Sequence, residues 1–336
     1  MATIKDVARR ANVSITSVSH VVNSTRFVSE RVRTEVEAAI RELDYVPSAV
    51  ARSLKSKTTK TLGMLIPNCS NPYFAEIVRS VEDHCFEAGY TLILCNTDDA
   101  PARQGIYLKV LAEKRIDGMI IISTGDDRGL LTLLRGLTIP TVLLDREIPE
   151  LNCDLVETAH RQGGMLATEH LIALGHRRIA CLGGPLRLNP SEQRIQGWRQ
   201  ALAGAGLTTE ASSLLWNSDF TSQGGFNAMQ LILQQPPVPT AVFVCNDLMC
   251  IGALSAAYQA GVRVPQDLSI IGFDDIELAH FTCPPLTTIT QPKHLIGVLA
   301  VDMLLERIED GRLEAKQVLL QPTLVVRAST AALAPG

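Results

Sequence analysis

From Thr61 onward the chain repeats one pattern, a short apolar run followed by an amphipathic helical stretch. The runs are TLGMLIP, YTLILCN, GMIIIS and TVLLD, then RIACLGG, AVFVCN and LSIIGFDD. Runs that stay apolar along their length and alternate with helices build parallel sheets covered on both faces. They are too many for one small sheet, and 336 residues exceed one ordinary domain of roughly 100–200 residues. The pattern predicts two α/β halves, one starting at residue 61 and one near residue 162, with a crevice between the carboxyl ends of their strands. The late stretch LTTITQPKHLIGVLAVDMLL is expected to recross to the first half, making the body bilobed.

Charge separates the first 60 residues from the rest. They carry 11 Lys and Arg against 6 Asp and Glu, a net of +5, which within a whole-chain net charge of −4 leaves −9 for residues 61–336. A basic head on an acidic body suits a nucleic-acid partner, although many solvated helices are basic too. No apolar run reaches the roughly 18 residues of a membrane span, and MATIKDVARR is charged where a signal peptide turns apolar. A cytoplasmic protein with no membrane contact is expected. The eight cysteines show no C-x-x-C and no His at zinc-ligand spacing, so they read as buried thiols in a reducing compartment, with no metal and no cofactor.

The head contains three helical patterns. In TIKDVARRANV, Ile4, Val7, Ala8 and Ala11 share a face and Thr3 stands as cap. After Asn12-Val13, Ser14 can cap ITSVSHVVN, which turns Val18, Val21 and Val22 inward and leaves Ile15, Thr16 and His20 near its outer face. SERVRTEVEAAIREL, capped by Ser29, is expected to bury Val32, Val36, Ile40 and Leu43. Two short helices joined by a tight turn and braced by a third make a helix-turn-helix, whose second helix enters the major groove; a small bundle that merely packs on the body is the alternative. On the first reading His20 bonds a guanine acceptor, Thr16 a base edge or phosphate, and Ile15 a thymine methyl. Next, VPSAVARSLKSKTTK offers a helix too short to form alone, with Leu54 between Arg52 and Lys55. A leucine flanked by cations suits an apolar wedge entering base steps from the minor groove.

TIKDVARRANVSITSVSHVVN followed by SAVARSLKS resembles the head and hinge of the lactose-repressor (LacI) family of bacterial transcription factors, and the resemblance runs through the whole body. It implies an all-α helix-turn-helix head over residues 1–46, a hinge helix and linker over 47–60, and a bilobed sugar-binding and dimerisation body over 61–336. That body consists of two Rossmann-like lobes of periplasmic-binding-protein type. Lobe one covers about 61–160 and 291–322, and lobe two about 162–288 and 323–336. The resemblance places Ile15, Thr16 and His20 at base-reading positions and Leu54 at the intercalating hinge position, supported by Ala51 and Lys55. Thr3, Ser14, Ser19, Asn23 and Arg26 complete the candidate DNA-binding set. Members of the family that answer purines and ribose commonly carry Thr where this chain has Ile15.

The strand ends of the body carry polar and aromatic residues: Asn71, Tyr73 and Phe74 in NPYF, then Asp145-Arg146, Arg194, Asn246-Asp247, Asp274-Asp275 and Gln291. With only 4% aromatic residues in the chain, a Tyr-Phe pair at one turn is a large share of the total. Carboxylates, guanidinium groups and amides beside aromatic faces fit a small polyhydroxylated ligand. Singly, Asp145-Arg146 also reads as a structural ion pair, Asn246-Asp247 as a helix cap and Asp274-Asp275 as a solvated loop. By resemblance to ribose-binding proteins of the periplasmic type, Asn71, Tyr73, Phe74, Asp145, Arg146, Arg194, Asn246, Asp274 and Gln291 take sugar-lining positions, with Phe220 a further aromatic wall. Tyr73 stands where the transport proteins usually have Phe. On this reading Tyr73 and Phe74 stack on the sugar ring, and Asn71 partners a hydroxyl rather than making a turn.

The resemblance then implies a homodimeric repressor that binds a palindromic operator and is released by a small-molecule effector, D-ribose. A purine or another pentose is the alternative effector. A sugar-acting enzyme would need a nucleophile or an acid-base pair, and the chain has no P-loop, no G-x-S-x-G and no metal cluster. A transport-type binding protein has no use for a DNA-binding head. The tail AALAPG carries no leucine heptads, so a dimer and not a coiled-coil tetramer is expected.

Overall fold

Ile4, Val7, Ala8 and Ala11 recur on one face, and they form α1 (Ile4–Arg10) with Val7, Ala8 and Ala11 buried. The structure is a computed structural model that describes residues 2–23, 26–46, 58–98, 100–122, 127–145, 148, 150–186, 188–207 and 214–333. Ala51, Leu54, Lys55 and Arg146 lie outside the described residues. The chain divides into two units, Met1–Thr59 and Lys60–Gly336.

In the first unit, α1 turns into α2 (Ile15–Asn23) through Asn12 at φ 50°, a left-handed conformation that Asn tolerates. Both pack on α3 (Glu30–Glu42), with Val18, Val21, Val36 and Ala39 completing the core. Helices of 7 and 9 residues are marginal alone and hold through this shared core. Two expectations are corrected for α3. Ser29 occupies the N-cap without a side-chain bond to the helix, and the fully buried residues are Val36 and Ala39, whereas Val32, Ile40 and Leu43 are half-buried at the edge of a small core.

The second unit builds two six-stranded sheets. The first takes β1 (Thr61–Ile66), β2 (Thr91–Asn96), β3 (Gly118–Ile122), β4 (Thr141–Leu144), β5 (Asp154–Thr158) and β11 (Gln317–Leu320), in the order β11-β5-β4-β3-β1-β2. The second takes β6 (Ile179–Gly183), β7 (Leu215–Asn217), β8 (Ala241–Val244), β9 (Ser269–Asp274), β10 (Thr287–Thr290) and β12 (Thr323–Val325), in the order β12-β10-β9-β8-β6-β7. All pairings are parallel except β10 with β12. Helices α4 (Pro72–Glu87), α5 (Pro101–Glu113) and α6 (Asp127–Arg135) join the strands of the first sheet. Helices α8 (Asn189–Gly204), α9 (Ser222–Gln234) and α10 (Asp247–Gln259) join those of the second. The chain passes between sheets three times: from β5 through α7 (His160–Ala173) to β6, from β10 through α11 (Lys293–Glu309) to β11, and directly from β11 to β12.

β1, β3, β8 and β9 are buried along nearly their whole length, as their apolar runs predict, and β2 departs because it is an edge strand with its outer residues half-exposed. β5, β7, β11 and β12 are strands the apolar runs did not announce. β7, β11 and β12 are short and half-exposed, and β5 carries a fully buried charge, Asp154. The cysteine expectation is corrected in part: Cys85, Cys95, Cys181, Cys245 and Cys250 are buried, whereas Cys69 and Cys283 stand exposed in loops and Cys153 is half-buried. Among the described residues no helix is long and apolar enough to cross a membrane, and no cluster of His, Cys, Asp or Glu could hold a metal ion.

Candidate functional site

In each sheet the strand order reverses beside the first strand of that half, β1 in one and β6 in the other, and ligands of such sheets bind beyond the carboxyl ends at that point. A cavity of about 190 Å³ lies there, lined from the first sheet's side by Asn71, Tyr73, Phe74 and Asp145 and from the second by Arg194, Phe220, Asn246 and Asp274. Gln291 is not among its lining residues; it is buried at 1% exposure on the crossing from β10 to α11.

Six side chains close a ring at this point. The Tyr73 hydroxyl contacts Asp145 Oδ2 at 2.9 Å and Gln291 Oε1 at 3.1 Å. Gln291 Nε2 donates to Asp274 Oδ1 at 2.7 Å, and Arg194 Nη1 lies 3.4 Å from the same oxygen. Arg194 Nε donates to His160 Nδ1 at 3.4 Å, and His160 Nε2 stands 3.2 Å from Asp145 Oδ1. That last contact is within charge range, yet Nε2 has no aligned hydrogen-bond partner. Asp145 Oδ1 also accepts the Thr158 N–H at 3.0 Å. Arg194 is fixed further by the Cys245 carbonyl at 2.5 Å and by the Phe273 ring, 3.8 Å below its guanidinium carbon.

The helices deliver these groups through close packing. α7 and α8 approach so tightly that a Cβ on Gly164 would sit 2.2 Å from the backbone oxygen of Arg194. A Cβ on Gly184 would lie 2.2 Å from the Phe220 ring, so the missing side chain is what seats that wall. Asp145, Phe220, Asp274 and Asp275 all have positive φ, at 55°, 65°, 114° and 54°. Non-glycine residues in this region store roughly 1–3 kcal/mol each, and such outliers concentrate at ligand clamps.

Electrostatics distinguish the two carboxylates. Burial raises Asp274 to about 6, against Arg194, Lys293 and Gln291, which pull it back. Burial also pushes Asp145 upward, but His160, the Thr158 N–H and the Tyr73 hydroxyl outweigh it and hold the carboxyl below its usual range. Burial, followed by the charges of Asp145 and Asp274, drives the Tyr73 phenol well above its ordinary value, so it remains a donor. Burial lowers His160, Arg194 adds to the effect and Asp145 opposes it.

The expectations for NPYF change in two ways. Asn71 is a turn residue after all: its Oδ1 caps α4 by accepting the Tyr73 N–H at 3.1 Å, while it also lines the cavity. Tyr73 is 5% exposed and belongs to the core as well as to the polar ring, which leaves Phe74, half-buried and edge-on to Tyr73 at 5.2 Å, as the freer aromatic face. Asn246 is likewise both cap and lining, accepting the Met249 N–H and donating to the Phe220 carbonyl. Asp247 and Asp275 sit behind the cavity: Asp247 accepts from Thr288 and the Ile276 N–H, and Asp275 pairs with Arg327. Sequence reasoning passed over His160, Asn68 and Asp219, the last two lining the cavity. An Asp-Phe-Thr turn resembling the other strand ends was the available signal for Asp219.

In the first unit, Ile15 is 45% exposed and Thr16 exposed, both at the start of α2, with His20 half-buried one turn on. Thr3, Ser14, Ser19 and Asn23 are engaged at helix ends. Thr3 Oγ1 donates to Asp6, Ser14 Oγ accepts the Ser17 N–H, and Asn23 Nδ2 donates to the Ser19 carbonyl. Arg26 is exposed.

Residues 3–48 match the bacterial regulatory proteins of the lacI family, and residues 168–330 match the periplasmic binding protein-like domain. The ribose operon repressor of Escherichia coli K12 is 47% identical over 98% of this chain and 100% of its own length. The HTH-type transcriptional repressor PurR of Photobacterium profundum is 45% identical over 98% of each. Among solved structures, the lac repressor dimer bound to operator and the anti-inducer ONPF superposes with a TM-score of 0.89 at 32% identity, covering 98% of this chain and 99% of that one. A LacI-family regulator from Enterococcus faecium with bound ribose gives 0.74 at 32% identity over 81% and 99%.

Proposed function

This chain belongs to the LacI family of bacterial transcriptional repressors, and we propose that it is the ribose-responsive member of that family, released from a palindromic operator when D-ribose enters the cleft. The observation that carries the sugar reading is the pairing of two carboxylates, the half-buried Asp145 and the buried Asp274, with Arg194 around one small cavity. A sugar hydroxyl donates to a carboxylate and accepts from a guanidinium at the same atom, so a polyol satisfies both charges. The roughly 190 Å³ is below the range of drug-sized pockets and suits a single small ring. The 47% identity to a ribose operon repressor supports the same reading.

A purine effector is the second reading, supported by the 45% identity to PurR and by two aromatic side chains, Phe74 and Phe220, lining the cavity. A purine presents flat faces to the aromatic walls but few donors to Asp145 and Asp274. On the proposed mechanism the protein acts as a homodimer, Ile15, Thr16 and His20 read bases, and Leu54 wedges the operator centre. Calorimetry against D-ribose, D-allose and hypoxanthine, combined with operator binding with and without each, tests the proposal. D-Ribose is expected to bind and to weaken operator affinity; an operator affinity that ribose leaves unchanged overturns the inducer reading.

A further inference from the structure

His160 opens α7, the segment that carries the chain from the first sheet to the second, and it is 4% exposed. Its two ring nitrogens face opposite sides of the cleft. Nδ1 accepts from Arg194, held on α8 beside the second sheet, and Nε2 faces Asp145, at the end of β4 in the first. Gln291, on the second crossing, makes the matching link from Tyr73 to Asp274. Thus both bridges of the ring stand on segments about which the two sheets must pivot, and both end on the carboxylates that face the cavity. We propose that His160 is a positioning residue that transmits ligand-driven lobe closure, holding Asp145 and Arg194 in register across the pivot through its Nε2–H tautomer.

The tautomer follows from the donors. A guanidinium can only donate, so Nδ1 must carry the lone pair and the proton of the neutral ring belongs on Nε2. Nε2 is buried, 3.2 Å from Asp145 Oδ1 and without an aligned partner, which makes it the link with most to gain from a small shift of one lobe on the other. A ligand that draws Asp145 and Arg194 together through shared hydroxyls aligns that bond, and the strain or relief passes directly into the crossing segment. The Phe273 ring, 5.9 Å away, packs against the imidazole and limits its rotation.

The inference rests on the sugar-responsive reading of the cleft, and its test separates the two. Operator affinity of the full chain is measured by fluorescence anisotropy on a fragment selected by the wild type, with and without saturating D-ribose. Couplings of this kind amount to roughly 5–150-fold. In His160→Leu the ratio is expected to fall to less than about a third of the wild-type value, with sugar-free operator affinity within about twofold. His160→Gln, which keeps a donor for Asp145, should retain more of the ratio. A residue that only stabilises the fold would lower the melting temperature and leave the ratio at saturation unchanged; that result overturns the proposal. Nitrogen-15 spectra of the imidazole in the wild type, assigned against His160→Gln, should show a neutral Nε2–H ring at pH 7. An Nδ1–H or doubly protonated ring overturns the geometry whatever the sugar does. A wild-type ratio near one sinks the ribose reading, and the imidazole spectrum then still decides whether His160 holds the link.

Discussion

Asp274 shows at a single residue how the cleft balances binding against stability. Its folded value of about 6 stands above the ordinary 3.8, so between those pH values the folded chain holds a proton that the unfolded chain has released. Stability from this group is therefore greatest below about 4, declines as pH rises towards 6 and stays reduced above it. On the proposed sugar reading, binding runs the other way, because hydroxyl donors need the ionised carboxylate. D-Ribose affinity should fall up to about tenfold per unit as pH drops through 6, measured by calorimetry between pH 7.5 and 5. Asp274→Asn should bind roughly 10–100-fold more weakly at pH 7.5, with that dependence flattened. Five members of the ring were legible in the sequence because strand ends are where an open α/β sheet contacts its ligand. His160 was not, because a histidine after VETA reads as an ordinary helix start and its partners Asp145 and Arg194 come from distant turns. The sequence points to Asn71 as a hydroxyl partner rather than a turn residue and to Asn246 as cap or contact, but an amide has two ends, and a cap uses only its oxygen.

At the scale of elements, the helix pair α7–α8 places Arg194, and Gly164 is what permits the approach. Gly164→Ala puts a Cβ 2.2 Å from the Arg194 carbonyl oxygen, and backbone cannot yield as a flexible side chain does. Unfolding in urea should show a loss of at least about 1–3 kcal/mol, and ribose binding should weaken with the displacement of Arg194. β5 illustrates why strands were missed. Its buried Asp154 opens the strand and leaves only Leu155-Val156 as an apolar run, yet it anchors the approach to the edge strand β11, accepting from Arg307, Arg312 and the Lys316 N–H. Burial raises that carboxyl and the two arginines more than reverse it, leaving a lowered value, so its stabilisation is present above about pH 4 and lost as pH falls through the folded value. Asp154→Ala strands two half-buried guanidinium groups and should cost about 3–5 kcal/mol by the same urea measurement. In α2 the helical period alone exposed Ile15 and Thr16, and His20→Ala should weaken specific operator binding by roughly 1–3 kcal/mol while leaving ribose calorimetry unchanged.

For the whole molecule, the recurrence of apolar runs and helices made both sheets legible, because each run reports its own burial. The crossing at LTTITQP was legible, but the contact it makes was not: Tyr73 and Gln291 meet across 218 residues, and no local pattern encodes such a contact. A repressor's operator and effector sites are joined by a coupling free energy, and thermodynamics constrains it. If D-ribose lowers operator affinity by some factor, the operator must lower D-ribose affinity by the same factor, since both legs close one cycle. Operator affinity with and without saturating D-ribose gives one ratio, and D-ribose affinity with and without saturating operator fragment gives the other. The two should agree and lie between about 5 and 150. A purine corepressor inverts the sign of both, so the same four measurements with hypoxanthine separate the two effector readings. Arg194→Met, which removes a ligand contact and one end of the His160 bridge, should weaken the sugar leg without changing sugar-free operator affinity. The cycle must still close in that variant, which makes any inequality between its two ratios the sign of a third bound species rather than of a broken coupling.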